Sequence, residues 1–96
     1  MPATLSARER ARLKARAHAL EPVVRVGHAG VTSELVAEAG RALAAHELIK
    51  VGIATADREA RVELGNELAA RLDATAVHRV GKILILWRPR PEAPEQ

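Results

Sequence analysis

The chain has 96 residues, enough for one domain with a single modest core, and it contains no cysteine. Disulfide bonds, thiolate metal sites and a cysteine nucleophile are therefore excluded. Residues 1–18 carry five basic side chains and one acidic one, and residues 74–91 carry four basic and no acidic ones, whereas residues 19–73 carry six basic and nine acidic. Such polarised positive charge favours a polyanionic partner. No apolar run reaches the length of a membrane span and no secretory signal is recognisable, so we expect a cytoplasmic protein without a membrane partner.

The first predicted helix begins at a capping box. In Ser6-Ala7-Arg8-Glu9, Ser6 can act as the N-cap while Glu9 reaches back from the third helical position. The helix should continue to near His18. Its apolar stripe is narrow, which predicts that the helix lies on the surface of the core. The stripe consists of Leu13, Ala17 and Leu20.

The same helix carries a basic ridge. Arg8, Arg12 and Arg16 recur at every fourth position, where like charges repel one another, and Lys14 lies nearby. Two interpretations remain open for this pattern: a solvated basic face, or a ridge that contacts phosphate groups.

A short strand over Val23–Val26 leads into the loop Gly27-His28-Ala29-Gly30. Pro22 ends the preceding helical segment, and Thr32 is the expected N-cap of a second helix over about Ser33–Ala45. Two glycines before a helix N-terminus allow a phosphate to approach free backbone N–H groups. A GxxG loop alone, however, more often serves only the turn.

The next two elements are a strand over Leu48–Ala54 and a helix over about Arg58–Leu72, capped near Asp57. Lys50 lies mid-strand among apolar neighbours, so its ammonium group must reach water or an anion. The exposed side chains of this third helix mix both signs of charge. We expect them to form an ordinary solvated face without a function.

The last two strands, Thr75–Val80 and Ile83–Arg88, are joined by Gly81-Lys82. Glycine at the first position of a two-residue loop predicts a type II′ hairpin with Lys82 at its tip. The expected cross-strand pairs are Val80 with Ile83, His78 with Ile85 and Ala76 with Trp87. Trp87, the only aromatic residue, is expected to pack in the core. A short proline-containing tail, 91–96, should be disordered.

The predicted order is therefore α-β-α-β-α-β-β. Right-handed crossovers would place the second and third helices on the same side of a four-stranded mixed sheet. The fold class is α/β, a two-layer sandwich in a single domain over residues 1–90. The docking of the first helix stays open.

Four segments of the chain resemble the YhbY family, the single-domain bacterial members of the CRM group (chloroplast RNA splicing and ribosome maturation). The resemblance covers about residues 5–90. The matching segments are Leu13-Lys14 through Leu20-Glu21-Pro22-Val23-Val24, Val26 to Thr32 with its GxxG loop, His46-Glu47-Leu48-Ile49-Lys50-Val51, and Gly81-Lys82 through Leu86-Trp87-Arg88-Pro89.

This resemblance implies a fold similar to the C-terminal domain of translation initiation factor three. It also implies an RNA-binding protein that associates with precursors of the large ribosomal subunit, so that the partner is ribosomal RNA. The family's GxxG loop is thought to clamp nucleotide backbone as in KH domains. Here the loop interior is His28-Ala29 rather than the polar or basic pair that is frequent in such proteins, which shifts weight to backbone amides and to basic residues nearby.

The candidate RNA contacts fall into three groups, and they depend on phosphate recognition because the chain lacks the aromatic residues of a stacking reader. They are Gly27, His28, Ala29 and Gly30 in the loop, Arg8, Arg12, Lys14 and Arg16 in the first helix, and Lys50, Lys82 and Arg88 elsewhere, with Arg25 and Arg79 as second-rank candidates.

No catalytic motif is recognisable, and the four histidines show no metal-ligand spacing, so we expect no enzyme, no metal, no cofactor and no small-molecule substrate. Two other function classes stay open. A small basic α/β protein can instead coat DNA, and the basic helix can instead serve as a protein-interaction module. Binding to a membrane surface is disfavoured because that helix lacks bulky apolar residues opposite its charges.

Overall fold

The computed structural model describes residues 5–89, and the order of its elements confirms the predicted one. Each end of a helix or strand lies within a residue of its expected position. The proline-containing tail at 91–96 is outside the described residues. The elements are α1 (Ala7–Ala17), β1 (Pro22–Val26), α2 (Ser33–His46), β2 (Leu48–Ile53), α3 (Arg58–Leu72), β3 (Thr75–Val80) and β4 (Ile83–Trp87).

The four strands form one mixed sheet in the order β1-β2-β4-β3. Strands β1 and β2 are parallel, while β4 runs antiparallel to both β2 and β3. The crossovers β1–α2–β2 and β2–α3–β3 progress in the same direction across the sheet, so right-handed connections bring both helices to one face. The main core contains buried residues of both α2 and α3 and confirms this arrangement, with Leu43 and Leu68 fully buried.

Helix α1 lies on the opposite face of the sheet, which sequence reasoning left open. Leu13 and Ala17 pack there in a second, smaller cluster with Leu48, Val77 and Ile85. Partly buried Trp87 packs against this cluster, as expected for a core residue. The fold is thus a two-layer α/β sandwich whose second face is partly covered by α1.

Helices α1, α2 and α3 all have the predicted N-terminal caps, and at α3 the Asp57 carboxylate accepts from the Glu59 N–H at 3.2 Å. The Ser6 hydroxyl accepts a hydrogen bond from the Glu9 backbone N–H at 3.1 Å, and the Glu9 carboxylate accepts one from the Ser6 N–H at 3.0 Å. The bond from the Ser6 N–H lowers the pKa of Glu9 because it favours the charged carboxylate. At α2, the Thr32 hydroxyl accepts from the Leu35 N–H at 3.1 Å.

The β3–β4 hairpin differs from its predicted register at one end. Val80 pairs with Ile83 and His78 with Ile85, as expected, but Trp87 pairs with Thr75 rather than with Ala76. A β-bulge between Ala76 and His78 causes the shift, since one extra residue on a strand moves the following pairs by one. The Val77 side chain consequently joins the α1 cluster instead of the main core.

The fully buried Leu43 provides a test of the main core. We expect Leu43→Ala to lower the free energy of unfolding by about 2–5 kcal/mol, because the lost methyl groups leave a cavity between α2 and the sheet. As a control, Val23→Ala alters a side chain that is 48% exposed and should cost under about 1 kcal/mol. Urea denaturation measures both values, and equal losses would contradict this assignment of the core.

Candidate nucleic-acid interface

The GxxG loop is a tight turn closed by a hydrogen bond from the Gly30 N–H to the Gly27 carbonyl, at 3.0 Å. Gly30 has a φ of 75°, a conformation in which a side chain is strained, so the turn itself requires this glycine. A Cβ atom at Gly27 would meet nothing within 4 Å. His28 and Ala29 are also exposed. A ligand could therefore come close to the protein backbone at Gly27.

Two backbone hydrogen bonds bring three segments to the same end of the sheet. The Ala54 N–H donates to the Val26 carbonyl at 3.0 Å, which joins the end of β2 to the start of the GxxG loop. The Ile53 N–H donates to the Lys82 carbonyl at 2.8 Å, which joins the end of β2 to the hairpin tip. We call this end the loop edge and define it as residues 27–30, 54–58 and 81–82.

Two arginines that sequence reasoning did not select lie at or beside the loop edge. Arg58 and Arg61 of α3 line a cavity with Arg79 and Gly81, beside the hairpin tip. The Arg61 guanidinium donates to the carbonyls of Thr55 at 3.2 Å and Ala56 at 2.7 Å, and so holds the β2–α3 loop.

Two signals in the sequence could have identified these arginines. Arg58 and Arg61 are cations near a helix N-terminus, where the helix dipole disfavours positive charge. They also directly follow β2, whose carboxyl end lies beside that of the parallel strand β1.

The structure divides the basic residues of α1 between its two flanks. Arg12 and Arg16 line a groove that also contains Glu9, Glu47 and Trp87, so carboxylates share this surface with the predicted ridge. Arg8 is exposed. Lys14 lies on the other flank, away from that groove.

Arg10, which we did not select, has a structural role. Its guanidinium donates to the Ala76 carbonyl at 3.3 Å and to the Val77 carbonyl. Both carbonyls belong to the bulged segment of β3, where regular ladder bonds are disrupted. Arg10 therefore fastens α1 to the bulge.

Lys14 and Lys50 come together on the α1 face of the sheet. They line one cavity with His18 of the α1 C-terminus and His78 of β3. Burial, together with the positive charges of Lys14 and Arg10, lowers the pKa of His78. Lys50 is half-buried and borders this open cavity, which agrees with the expectation that its ammonium group reaches water or an anion.

Arg88 occupies a different position from the one we expected. Its guanidinium donates to the Leu72 carbonyl at 2.9 Å and to the Gly40 carbonyl at 3.1 Å. The half-buried side chain thus links α3 to α2 and lies away from the loop edge, so we remove Arg88 from the candidate interface. Arg25 lies across Gly52, where a Cβ would be 3.3 Å from its Nη1 atom, on the same sheet face as Lys50.

Residues 5–89 contain no group of three or more His, Asp or Glu side chains that could hold a metal ion. None of the helices in this described part of the chain is both long and apolar enough to cross a membrane.

Comparison with known proteins gives a consistent result. The sequence model of the CRS1 / YhbY (CRM) domain matches residues 5–88. The chain belongs to this family. An RNA-binding protein of Haemophilus influenzae is 44% identical over 90 residues, which cover 94% of this chain and 91% of that protein. A probable RNA-binding protein of Pseudomonas aeruginosa is 38% identical over 88 residues, which cover 92% and 85%.

A solved structure shows the same fold. The solution structure of a Staphylococcus aureus protein superposes with a TM-score of 0.81 at 22% sequence identity, and the match covers 95% of each chain. The CRM-type α/β fold expected from the sequence is therefore confirmed.

The contrast between Arg10 and Arg8 can be tested by stability. We expect Arg10→Met to lower the free energy of unfolding by about 1–3 kcal/mol, because two part-buried carbonyls lose their donor. Arg8→Met removes the same charge from an exposed position of the same helix and should change stability by no more than about 0.5 kcal/mol. Thermal and urea unfolding measure both variants. Equal, small effects would contradict the fastening role of Arg10.

Proposed function

We propose that the chain binds RNA and that the loop edge holds the phosphate backbone. The observation that carries this proposal is that two backbone hydrogen bonds, Ala54 N–H to Val26 and Ile53 N–H to Lys82, join the GxxG loop and the hairpin tip to the end of β2. A backbone that crosses this edge would meet the exposed GxxG loop beside β1 and then the cations Arg58, Arg79 and Lys82 on the hairpin side. The RNA-binding names of the bacterial relatives support the choice of nucleic acid.

The loop and the basic side chains would contribute differently. Gly27 and Ala29 offer no charged side chain, so the loop would provide clearance and backbone N–H donors. Lys82, Arg58 and Arg79 would provide positive charge on the hairpin side of the loop. Phosphate contacts of this type give affinity that depends on salt and carries little sequence information.

We further propose that the bound RNA is ribosomal RNA in precursors of the large ribosomal subunit, and that the protein acts in the assembly of that subunit. The support for this step is the resemblance of the four sequence segments to the YhbY family. The chain would act there as a binding protein and not as an enzyme, in the cytoplasm.

Gly27 allows a test of the loop without the strain that Gly30 would introduce. We expect Gly27→Asp to weaken RNA binding roughly tenfold, since a carboxylate would repel phosphate and a charged hydrogen bond is worth about 1.5–3 kcal/mol. Gly27→Asn has nearly the same size and no charge, so it should retain most of the affinity. Filter binding or fluorescence anisotropy at fixed salt gives the dissociation constants.

Two results of this experiment would contradict the loop's role. Equal affinities of Gly27→Asp and Gly27→Asn would show that charge at the loop does not matter. Unchanged affinity in both variants would remove the loop from the interface. A separate competition tests the choice of nucleic acid, and a preference for duplex DNA over structured RNA at equal salt would favour the DNA-coating alternative. Unfolding curves of both variants establish that the fold is intact.

The ribosomal step has its own test. In sucrose gradients of a cell extract at physiological salt, we expect the protein to sediment with precursors of the large subunit more than with mature subunits. Gly27→Asp should shift it toward the top of the gradient. A wild-type protein that stays at the top, although it binds RNA in solution, would contradict the assembly role but not RNA binding.

A further inference from the structure

The α1 face of the sheet contains a cavity of about 290 Å³ at a distance from the GxxG loop. Four elements contribute to it: α1, β2, β3 and β4. One side has the ammonium groups of Lys14 and Lys50, with the imidazole rings of His18 and His78 beside them. None of the cavity's lining residues, all of which lie within the described part of the chain, is acidic.

The basic side is suited to an anion. Lys14 and Lys50 are both half-buried, and they approach the cavity from different layers, one from the helix and one from the sheet. Two ammonium groups that line one cavity and are partly removed from water repel each other unless an anion neutralises them. The groups that face His78 are also cationic, namely Lys14 and Arg10 from α1.

The other side of the cavity is apolar. Val80 is 57% exposed, an unusual degree for a valine in a strand, and Ile83 is half-buried. Ile85, almost fully buried, continues this surface inward. The lowered pKa of His78 favours its neutral ring, whose flat faces can stack on a base.

An apolar surface beside two ammonium groups matches a nucleoside phosphate, which joins a flat base to an anion. We propose that this cavity, which we call the nucleotide pocket (Lys14, His18, Lys50, His78, Val80, Ile83), holds one unpaired nucleotide of the bound RNA. The base lies against Val80 and Ile83, and its phosphate contacts Lys14 and Lys50. This inference rests on the proposed RNA-binding function and adds a preference for unpaired RNA.

The position of the pocket supports RNA rather than a free nucleotide as the source. Val80 and Ile83 directly flank the hairpin tip, Gly81-Lys82, and the Lys82 carbonyl is bonded to the end of β2 at the loop edge. A strand whose backbone crosses the loop edge can therefore continue past Lys82 into the pocket. A base within a stacked duplex cannot enter it without leaving its partner.

The test compares two RNAs of equal length and charge, one a closed duplex and the other containing four unpaired nucleotides. Lys50→Met retains the length of the side chain and removes its charge, and Arg41→Met removes one charge from the exposed surface of α2 as the matched control.

We expect wild type to prefer the RNA with unpaired nucleotides. Lys50→Met should weaken binding of that RNA roughly tenfold and of the duplex by less than about twofold, since a lost charge-assisted contact is worth about 1.5 kcal/mol. Arg41→Met should leave both unchanged.

Val80→Asp tests the apolar side of the pocket and should remove the preference for unpaired RNA. Unfolding curves of each variant verify that the fold is retained. Equal weakening of both RNAs by Lys50→Met, or no weakening, would overturn the nucleotide pocket while leaving RNA binding in place.

A second measurement separates the possible ligands. In ¹⁵N NMR titrations, we expect adenosine monophosphate to shift the amide signals of Val80 and Ile83 more than adenosine or inorganic phosphate does, because only the monophosphate engages both sides of the pocket. Equal shifts with inorganic phosphate would reduce the site to a simple anion site and overturn the proposal. Shifts with adenosine monophosphate in a protein that binds no RNA would assign the pocket to free nucleotides and contradict the proposed function itself.

Discussion

Strand β2 must satisfy both faces of the sheet at once, and the rest of the structure depends on this constraint. Ile49, Val51 and Ile53 point into the main core beneath α2 and α3, while Leu48 and Lys50 point to the α1 face. Leu48 is covered by α1, whereas Lys50, two residues further, borders an open cavity. Because side chains alternate along β2, one face of the strand is wholly apolar and packs under α2 and α3. The other face packs against α1 at Leu48 and is basic and open at Lys50.

Local signals in the sequence were sufficient for much of the fold. Ser6 and Thr32 could be identified as caps because the hydrogen bonds involved span only three residues. The hairpin tip followed from one glycine, Gly81, whose φ of 57° suits the first position of the turn. The bulge could not be predicted in this way. Val77 leaves the regular ladder to join α1, and the distant partner that makes this favourable is not visible in the alternation of residues 75–80.

The same distinction applies to the candidate interface. The GxxG loop and Lys82 could be selected from local pattern, but Arg58 and Arg61 come beside Arg79 and Gly81 only through the tertiary fold. Arg88 shows the converse, since this candidate phosphate contact donates to carbonyls of two helices. Charge alone therefore identifies a basic protein, and topology decides which cations share a surface.

The fastening of α1 to the bulge has a consequence for folding during synthesis. Arg10 is made early, but the carbonyls of Ala76 and Val77 that it bonds leave the ribosome more than sixty residues later. Of the buried apolar residues that α1 packs against, only Leu48 precedes the hairpin, because Val77 and Ile85 belong to β3 and β4. Contacts of such sequence separation form late and slowly. The main core also needs Leu84 and Leu86 of β4. Both faces of the sheet would thus be completed only when the final hairpin closes, and the basic helix would lack most of its apolar contacts until then.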